Sequence, residues 1–367
     1  MLAAVAGITL LAVSMAGLGA CERTSQTGGA ATVAGGKADA REFAVHPIPL
    51  AGAMMETCGD RCAELSGLAW HGDTLILLPQ YPGRFSSEAD GCLLAIGKAR
   101  IDAYLVQRSA AAVAPEPVRL IAVGLRARVE GFQGYEAIAI TGDRIYLTIE
   151  ATVAAPASGG GGRGYLVAGR IASDSSIIHL DVDSVTQLPS QTKLSNMAYE
   201  ALVAVEDGVL AIHEANGQNV NPNPKAYLLD AALRRSDPVP FPTLEYRITD
   251  ATSVDAKGRF WVMNYFWPGE EDVLGPGPDT LAETYGVGPS HARSRVVERL
   301  VELTWGGSSI TRTGSAPIQL ELLADEAARN WEGIARLDHR GFLAVTDRFP
   351  STMLGFIAIE SVNNPER

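Results

Sequence analysis

The same short phrase recurs five times along this chain, and each copy sets an oxygen-bearing side chain at the same place. The copies read SGLAWHGDTLILLPQ from Ser66, EAIAITGDRIYLTIE from Glu136, EALVAVEDGVLAIHE from Glu200, TDATSVDAKGRFWVMN from Thr249 and EGIARLDHRGFLAVTD from Glu332. Each opens on Ser, Thr or Glu, runs through an apolar stretch, turns at a Gly-containing site and returns as a second apolar stretch. The return ends on Gln80, Glu150, Glu214, Asn264 or Asp347, always 14 or 15 residues after the opening residue. A repeat of this kind fixes the architecture, because each unit must bury its apolar face against its neighbours.

The apolar runs favour strands. Leu75 to Leu78, Arg144 to Leu147, Phe260 to Val262 and Phe342 to Val345 are aliphatic, aromatic or β-branched. The breaks at Gly142-Asp143, Asp207-Gly208, Lys257-Gly258 and Arg340-Gly341 have hairpin chemistry. Further strands follow before the next copy, at Gly164 to Val167 and Ser176 to Leu180. The expected fold is therefore all-β, a propeller of four-stranded antiparallel blades over residues 42–367. The copies begin 70, 64, 49 and 83 residues apart, and only 36 residues remain from the last one. That is too short for four strands, so the segment Glu42 to Ile48 is expected to supply the outer strand of the last blade and close the ring. Five blades are expected, with a sixth possible around Arg299 to Thr304. A closed ring of this kind is expected as a monomer.

Two inserts lack strand periodicity. Ala154 to Arg163 carries four consecutive glycines, Gly159 to Gly162, with no Gly-Lys-Ser after them, and reads as a surface loop. Pro268 to Arg293 leaves from the end of a second strand. It is expected either to cover the rim that carries the repeat polar residues or to be a plain excursion.

The first 20 residues are uncharged and end in Leu18-Gly19-Ala20-Cys21, which looks like the lipobox of bacterial lipoproteins. That resemblance implies a signal peptide over 1–20, lipidation of Cys21 and a tether rich in small residues over 21–41. The expected location is the bacterial cell envelope, facing the periplasm or on the outer membrane, with membrane contact through the lipid alone. Export permits disulfides. Cys58, Cys62 and Cys92 would then remain, enough for one bridge whose pairing the sequence leaves open. Among 367 residues the net charge is −12, and no basic stripe is present, which argues against nucleic acid.

In a hairpin, the first residue of one strand lies beside the last residue of the next. The opening set, Ser66, Glu136, Glu200, Thr249 and Glu332, should therefore share one end of the ring with Gln80, Glu150, Glu214, Asn264 and Asp347. So many carboxylates would raise one another's pKa or drive the ring apart unless a cation neutralised them. Oxygen-only donors suit calcium, and zinc would want His or Cys. The same residues could instead cap strand ends, but identical placement in every copy favours a shared central partner. Ser66, Glu136, Glu200, Thr249 and Glu332 are the expected calcium ligands. Glu150, Glu214 and Asp347 are the expected residues to orient water, and Arg84 and Arg348 to hold a substrate anion. His213, beside Glu214, reads as a surface imidazole with a base as the alternative.

One opening residue per blade, in the order Ser, Glu, Glu, Thr, Glu, resembles the calcium-dependent apyrases, which are five-bladed propellers. Glu64-Leu65-Ser66 with Gly83, and Trp331-Glu332-Gly333-Ile334, look like that family's first and last blade motifs. Tyr135 to Ala139, Tyr199 to Leu202 and Val345 to Phe349 are similar to the esterase-like phytase domain. The SdiA-regulated lipoprotein propellers are a third group of similar style. The resemblance spans roughly residues 42–367 and implies a central calcium and hydrolysis of a phosphoester or related ester. Where apyrases carry an Asp-Asp-Arg-Thr-Gly run, this chain has Pro79 to Arg84, which retains only the Gly and a displaced Arg. The calcium ring therefore carries over better than nucleotide hydrolysis. The competing expectation is a non-catalytic, calcium-stabilised propeller that presents Tyr81, Phe85, Tyr265, Phe266 and Trp267 to a glycan, peptide or other envelope partner.

Overall fold

The computed structural model describes residues 40–51, 63–87, 90–107, 111–152, 162–206 and 208–359. Cys21, the signal segment, Cys58, Cys62 and most of the glycine-rich insert lie outside these residues.

Two short strands come first, β1 (Glu42–Phe43) and β2 (Val45–Ile48). Five antiparallel units follow. The first comprises β3 (Leu65–His71), β4 (Thr74–Pro79), β5 (Cys92–Gly97) and β6 (Glu116–Ile121), and the second β7 (Phe132–Thr141), β8 (Arg144–Ala151), β9 (Arg163–Ile171) and β10 (Ile177–Leu188). The third holds β11 (Ala201–Val205), β12 (Gly208–Ile212), β13 (Lys225–Leu229) and β14 (Val239–Pro240). The fourth holds β15 (Arg247–Ala251), β16 (Arg259–Phe266), β17 (Val297–Trp305), β18 (Ile310–Arg312) and β19 (Ile318–Leu320), and the fifth β20 (Trp331–Leu337), β21 (Gly341–Thr346) and β22 (Leu354–Ala358).

Each unit begins with one copy of the repeat folded as a hairpin. The five first strands pack side by side in a closed ring, β3 against β7 and β20, and β11 against β7 and β15, with β15 meeting β20. This is the all-β propeller that the repeat predicts. Alternate residues of each strand face opposite seams, as the two-residue period requires. Ile76 and Leu78 pack toward the second unit, whereas Leu75 and Leu77 pack toward the fifth. Similar apolar clusters fill the other three seams.

The N-terminal strands close the ring, but not as one piece. Val45–Ile48 pairs antiparallel with β22 and completes the fifth unit, as expected. Glu42–Phe43 instead pairs in parallel with β19 of the fourth unit. The break falls at Ala44, and the chain is shared between two neighbours. Arg299 to Thr304, the possible sixth blade, lies in β17 as the third strand of the fourth unit, in continuous register with β16.

Candidate functional site: an acidic centre around one arginine

The opening residues of the repeat share a local irregularity. Pairing skips Ser66 between Leu65↔Pro79 and Gly67↔Leu78, and it skips Thr249 and Glu332 in the same way. Glu136 lies within a similar skip, and Glu200 directly precedes β11. A bulge leaves its extra residue outside the ladder and re-aims the side chain. The residue after each opener is small in four copies because neighbouring first strands nearly touch there. A Cβ on Gly333 would lie 3.1 Å from the Gly67 Cα, and one on Gly67 would lie 2.9 Å from Ile138 Cγ2. In the fourth copy this place is taken by Asp250, which is fully buried and accepts the Ile334 N–H at 2.8 Å.

The structure brings together Glu136, Glu150, Glu200, Glu214 and Glu332, and adds a cation that the repeat did not reveal. Arg247, two residues before Thr249, is buried with its guanidinium among the carboxylates. Nε donates to Glu214. Nη2 donates to Glu332 at 3.1 Å and to Glu200 at 3.2 Å, and Nη1 to Asn330 at 3.2 Å. Glu270, at the start of the second insert, lies 3.5 Å from Nη1. Across the centre, Glu136 accepts only Gln80 Nε2, at 2.9 Å, among the described residues, and Glu150 sits beside it.

Electrostatics follow from this geometry. Burial, and then the charge of Glu150, push the Glu136 carboxyl well up. Burial dominates for Glu200, Glu214 and Glu332 as well, against the opposing pull of Arg247. Glu150 is pushed up to about 8 by burial and then by Glu214. One guanidinium serves five carboxyls, so the centre retains demand for positive charge. Three buried oxygens here, Glu214 Oε2, Thr249 Oγ1 and Glu270 Oε2, have no hydrogen-bond partner.

Other expected residues are placed differently. Asn264 is not on the acidic centre: its Nδ2 donates to the Glu245 and Arg247 carbonyls, and its Oδ1 accepts from Arg299. Asp347 is half-buried, and its Oδ1 accepts the backbone N–H groups of Arg348 and Phe349. His213 is no surface imidazole. It is buried edge-on to Tyr199, and its Nδ1 accepts the Ala215 N–H at 3.1 Å, while burial holds its pKa down at about 4. A neutral ring in a packed seam is not placed to act as a base.

Arg84 and Arg348 do converge, from opposite ends of the chain. Both hold the buried carboxylate of Glu64, at 2.6 and 2.8 Å, and each remains close to half exposed. Tyr81 stacks under the Arg84 guanidinium at 4.1 Å, and burial followed by the charge of Glu136 raises its hydroxyl pKa. This tyrosine thus links the arginine pair to the acidic centre. Of the other aromatics expected at the rim, Phe85 is buried in the seam between the first and fifth units, Phe266 is buried beside Tyr246, Tyr265 is buried with its ring 5.6 Å from the Arg247 guanidinium, and only Trp267 stands exposed.

The second insert covers the rim. Besides Glu270 on Arg247, its Gly277 N–H donates to Glu245, its Gly275 carbonyl accepts from Asn219, and its Asp279 binds Arg299 through both oxygens. Donor chemistry at the centre is all oxygen, as calcium requires, and charge is in deficit. As they stand, however, no three Asp, Glu, His or Cys side chains among the described residues converge into a ready metal cage.

No family model matches this sequence, and no curated protein matches it. Among solved structures, a glucose dehydrogenase is similar with a TM-score of 0.41 at 14% identity, over 83% of this chain and 98% of that one. A GH43 endo-arabinanase from Bacillus licheniformis gives 0.46 at 9% identity, over 83% and 94%. The soluble aldose sugar dehydrogenase from Escherichia coli gives 0.40 at 13%, over 86% and 99%. Likeness at this level extends to neither substrate nor mechanism.

Proposed function

We propose that this protein is a propeller hydrolase of phosphoric or related esters, using calcium at its acidic centre and held at the cell envelope by a lipid on Cys21. The observation that carries the reading is the surplus of buried carboxylates over positive charge at the mouth of the ring. Glu200, Glu214 and Glu332 are engaged by Arg247, so Glu136 and Glu150, with Ser66 and the Gln80 amide oxygen, are the groups left to hold a dication. Thr249, a fifth expected ligand, has a free buried hydroxyl oxygen to offer. Calcium bound there would supply a Lewis acid for a substrate oxygen.

The chain's own residues fit the remaining tasks. Arg84 and Arg348 each direct one Nη to Glu64, and their exposed edges face solvent beside Tyr81, where an anionic ester can dock. In hydrolysis, water adds to the phosphorus, the ester P–O bond breaks, and the departing oxygen takes a proton. Glu150, which burial and Glu214 hold protonated without a cation, would be ionised beside calcium and serve as its ligand, so the departing oxygen takes its proton from solvent water. Asp347 keeps one oxygen free of the backbone bonds and can orient the water. Glu214, committed to Arg247, is a positioning residue.

A second reading rests on Arg247 itself. A guanidinium already lies among three of the carboxylates, so the cluster can be a structural plug in a non-catalytic propeller that binds an envelope partner. The decisive assay uses purified protein against phytate, nucleotides and aryl phosphates, with calcium and with chelator. Calcium-dependent turnover of at least one class is expected. Absence of turnover on all three with calcium present removes the hydrolase reading and leaves the binding one.

A further inference from the structure

A cavity of about 380 Å³ lies between the outer face of the fourth unit and the second insert, away from the carboxylates. Arg299 and Gln319 line it and are the middle of a polar row that runs straight across the sheet. Asn264, Arg299, Gln319 and Glu42 are successive register partners on β16, β17, β19 and β1. Directly opposed residues share a face, so the four side chains stand in line. Arg299 and Gln319 are almost wholly buried, and Gln319 Oε1 has no hydrogen-bond partner. At one end, Tyr246 and Phe266 stack with ring centroids 4.7 Å apart.

The charges on the walls are internally matched. Arg299 is held by Asp279 at 2.8 and 3.0 Å, Arg295 pairs with Glu271, and the His291 ring meets Glu42 at 2.9 Å. A volume in the range of small-molecule sites, about 300 to 1,000 Å³, is thus lined by an aromatic wall, an unmet acceptor and no unbalanced charge. We infer that this cavity is a binding site for a neutral, hydroxyl-bearing ring compound of about one sugar ring in size. Hydroxyls would satisfy Gln319, and the ring's C–H face would lie on Tyr246 and Phe266. Tyr246 lines this cavity while the next residue, Arg247, faces the carboxylates, so occupancy would also brace the insert that covers the acidic centre.

Titration calorimetry of the full chain with D-glucose, D-galactose and myo-inositol, and with gluconate as a charged control, tests the site. At least one neutral ring compound should bind saturably, and more tightly than gluconate. Ala282→Trp, which fills the cavity from the insert helix Thr280–Tyr285, should weaken binding at least tenfold. Gln319→Leu removes the unmet acceptor with little change of volume and should weaken it similarly, with the melting temperature kept. No saturable binding of any neutral probe, tighter binding of gluconate, or binding unchanged in the folded Gln319→Leu protein overturns the inference.

Discussion

The two halves of the acidic centre solve the same problem in opposite ways. On one side Glu200, Glu214 and Glu332 surround Arg247, so a covalently tethered cation balances them. On the other, Glu136 and Glu150 lie beside each other, and the hydrogen-bond partner of Glu136 is the neutral Gln80 amide. A tethered guanidinium is always present and cannot be exchanged, so the first half is a fastening between the third, fourth and fifth units. The second half has no such cation, and under the hydrolase reading it is the half that would recruit a metal ion. Burial is similar on both sides, so the difference lies in the partner rather than in the solvent.

Removing Arg247 breaks this contrast most directly. Arg247→Met leaves three buried carboxyls without their cation and should cost about 3–5 kcal/mol of unfolding free energy, read by urea denaturation at neutral pH. If Glu200, Glu214 and Glu332 simply take up protons at no cost, the loss will stay under about 1 kcal/mol, within the range of an exposed ion pair. That outcome would make Arg247 a bystander.

A smaller effect isolates the open half. Glu150 has its folded pKa raised from 4.5 to about 8, mainly by burial. A carboxyl raised in this way contributes stability that is complete below its unfolded value and lost as pH rises through its folded one. In chelator the melting temperature should therefore fall between about pH 5 and pH 8, and saturating calcium should flatten the slope by holding the ionised form. Glu136→Gln combined with Glu150→Gln should flatten it without calcium and abolish the calcium-induced shift. A wild-type profile in chelator that is level across this range would show that the open half carries no strain.

Legibility in the sequence divides along the same line. The hairpins, the ring and the closing N-terminal strand were readable because period-two apolar runs and turn residues are local signals repeated five times. The gathering of Glu136, Glu200 and Glu332 followed, since symmetry places equivalent residues at one end. Arg247 was hidden because it belongs to a position two before the opener that does not repeat: Glu64, Gly134, Ala198, Arg247 and Asn330 stand there. Yet three of these are polar, and all three act at the rim, Glu64 on two arginines and Asn330 on Arg247. A carboxylate surplus calls for a cation, and Arg247 is the arginine nearest in sequence to any opening residue. Asn264 and His213 misled for another reason: neighbours along a strand face opposite sides, and adjacency to a site in sequence does not put a side chain into it.

The arginine pair on Glu64 offers the finest test, because it repeats the contrast on a small scale with one carboxylate and two cations. Arg84 and Arg348 are 41% and 51% exposed, so solvent screens each ion pair and either alone should matter little. Arg84→Gln and Arg348→Gln should each change stability by less than about 1 kcal/mol, since the remaining arginine still neutralises Glu64. The double variant leaves a buried carboxylate with no cation and should cost more than the two singles added together, a positive coupling that a double-mutant cycle reads directly. Under the hydrolase reading the singles should also raise KM for an anionic ester while leaving kcat nearly unchanged, because they bind the substrate away from the breaking bond. Strictly additive stabilities would mean that the pair is held by the fold rather than by the charge between them.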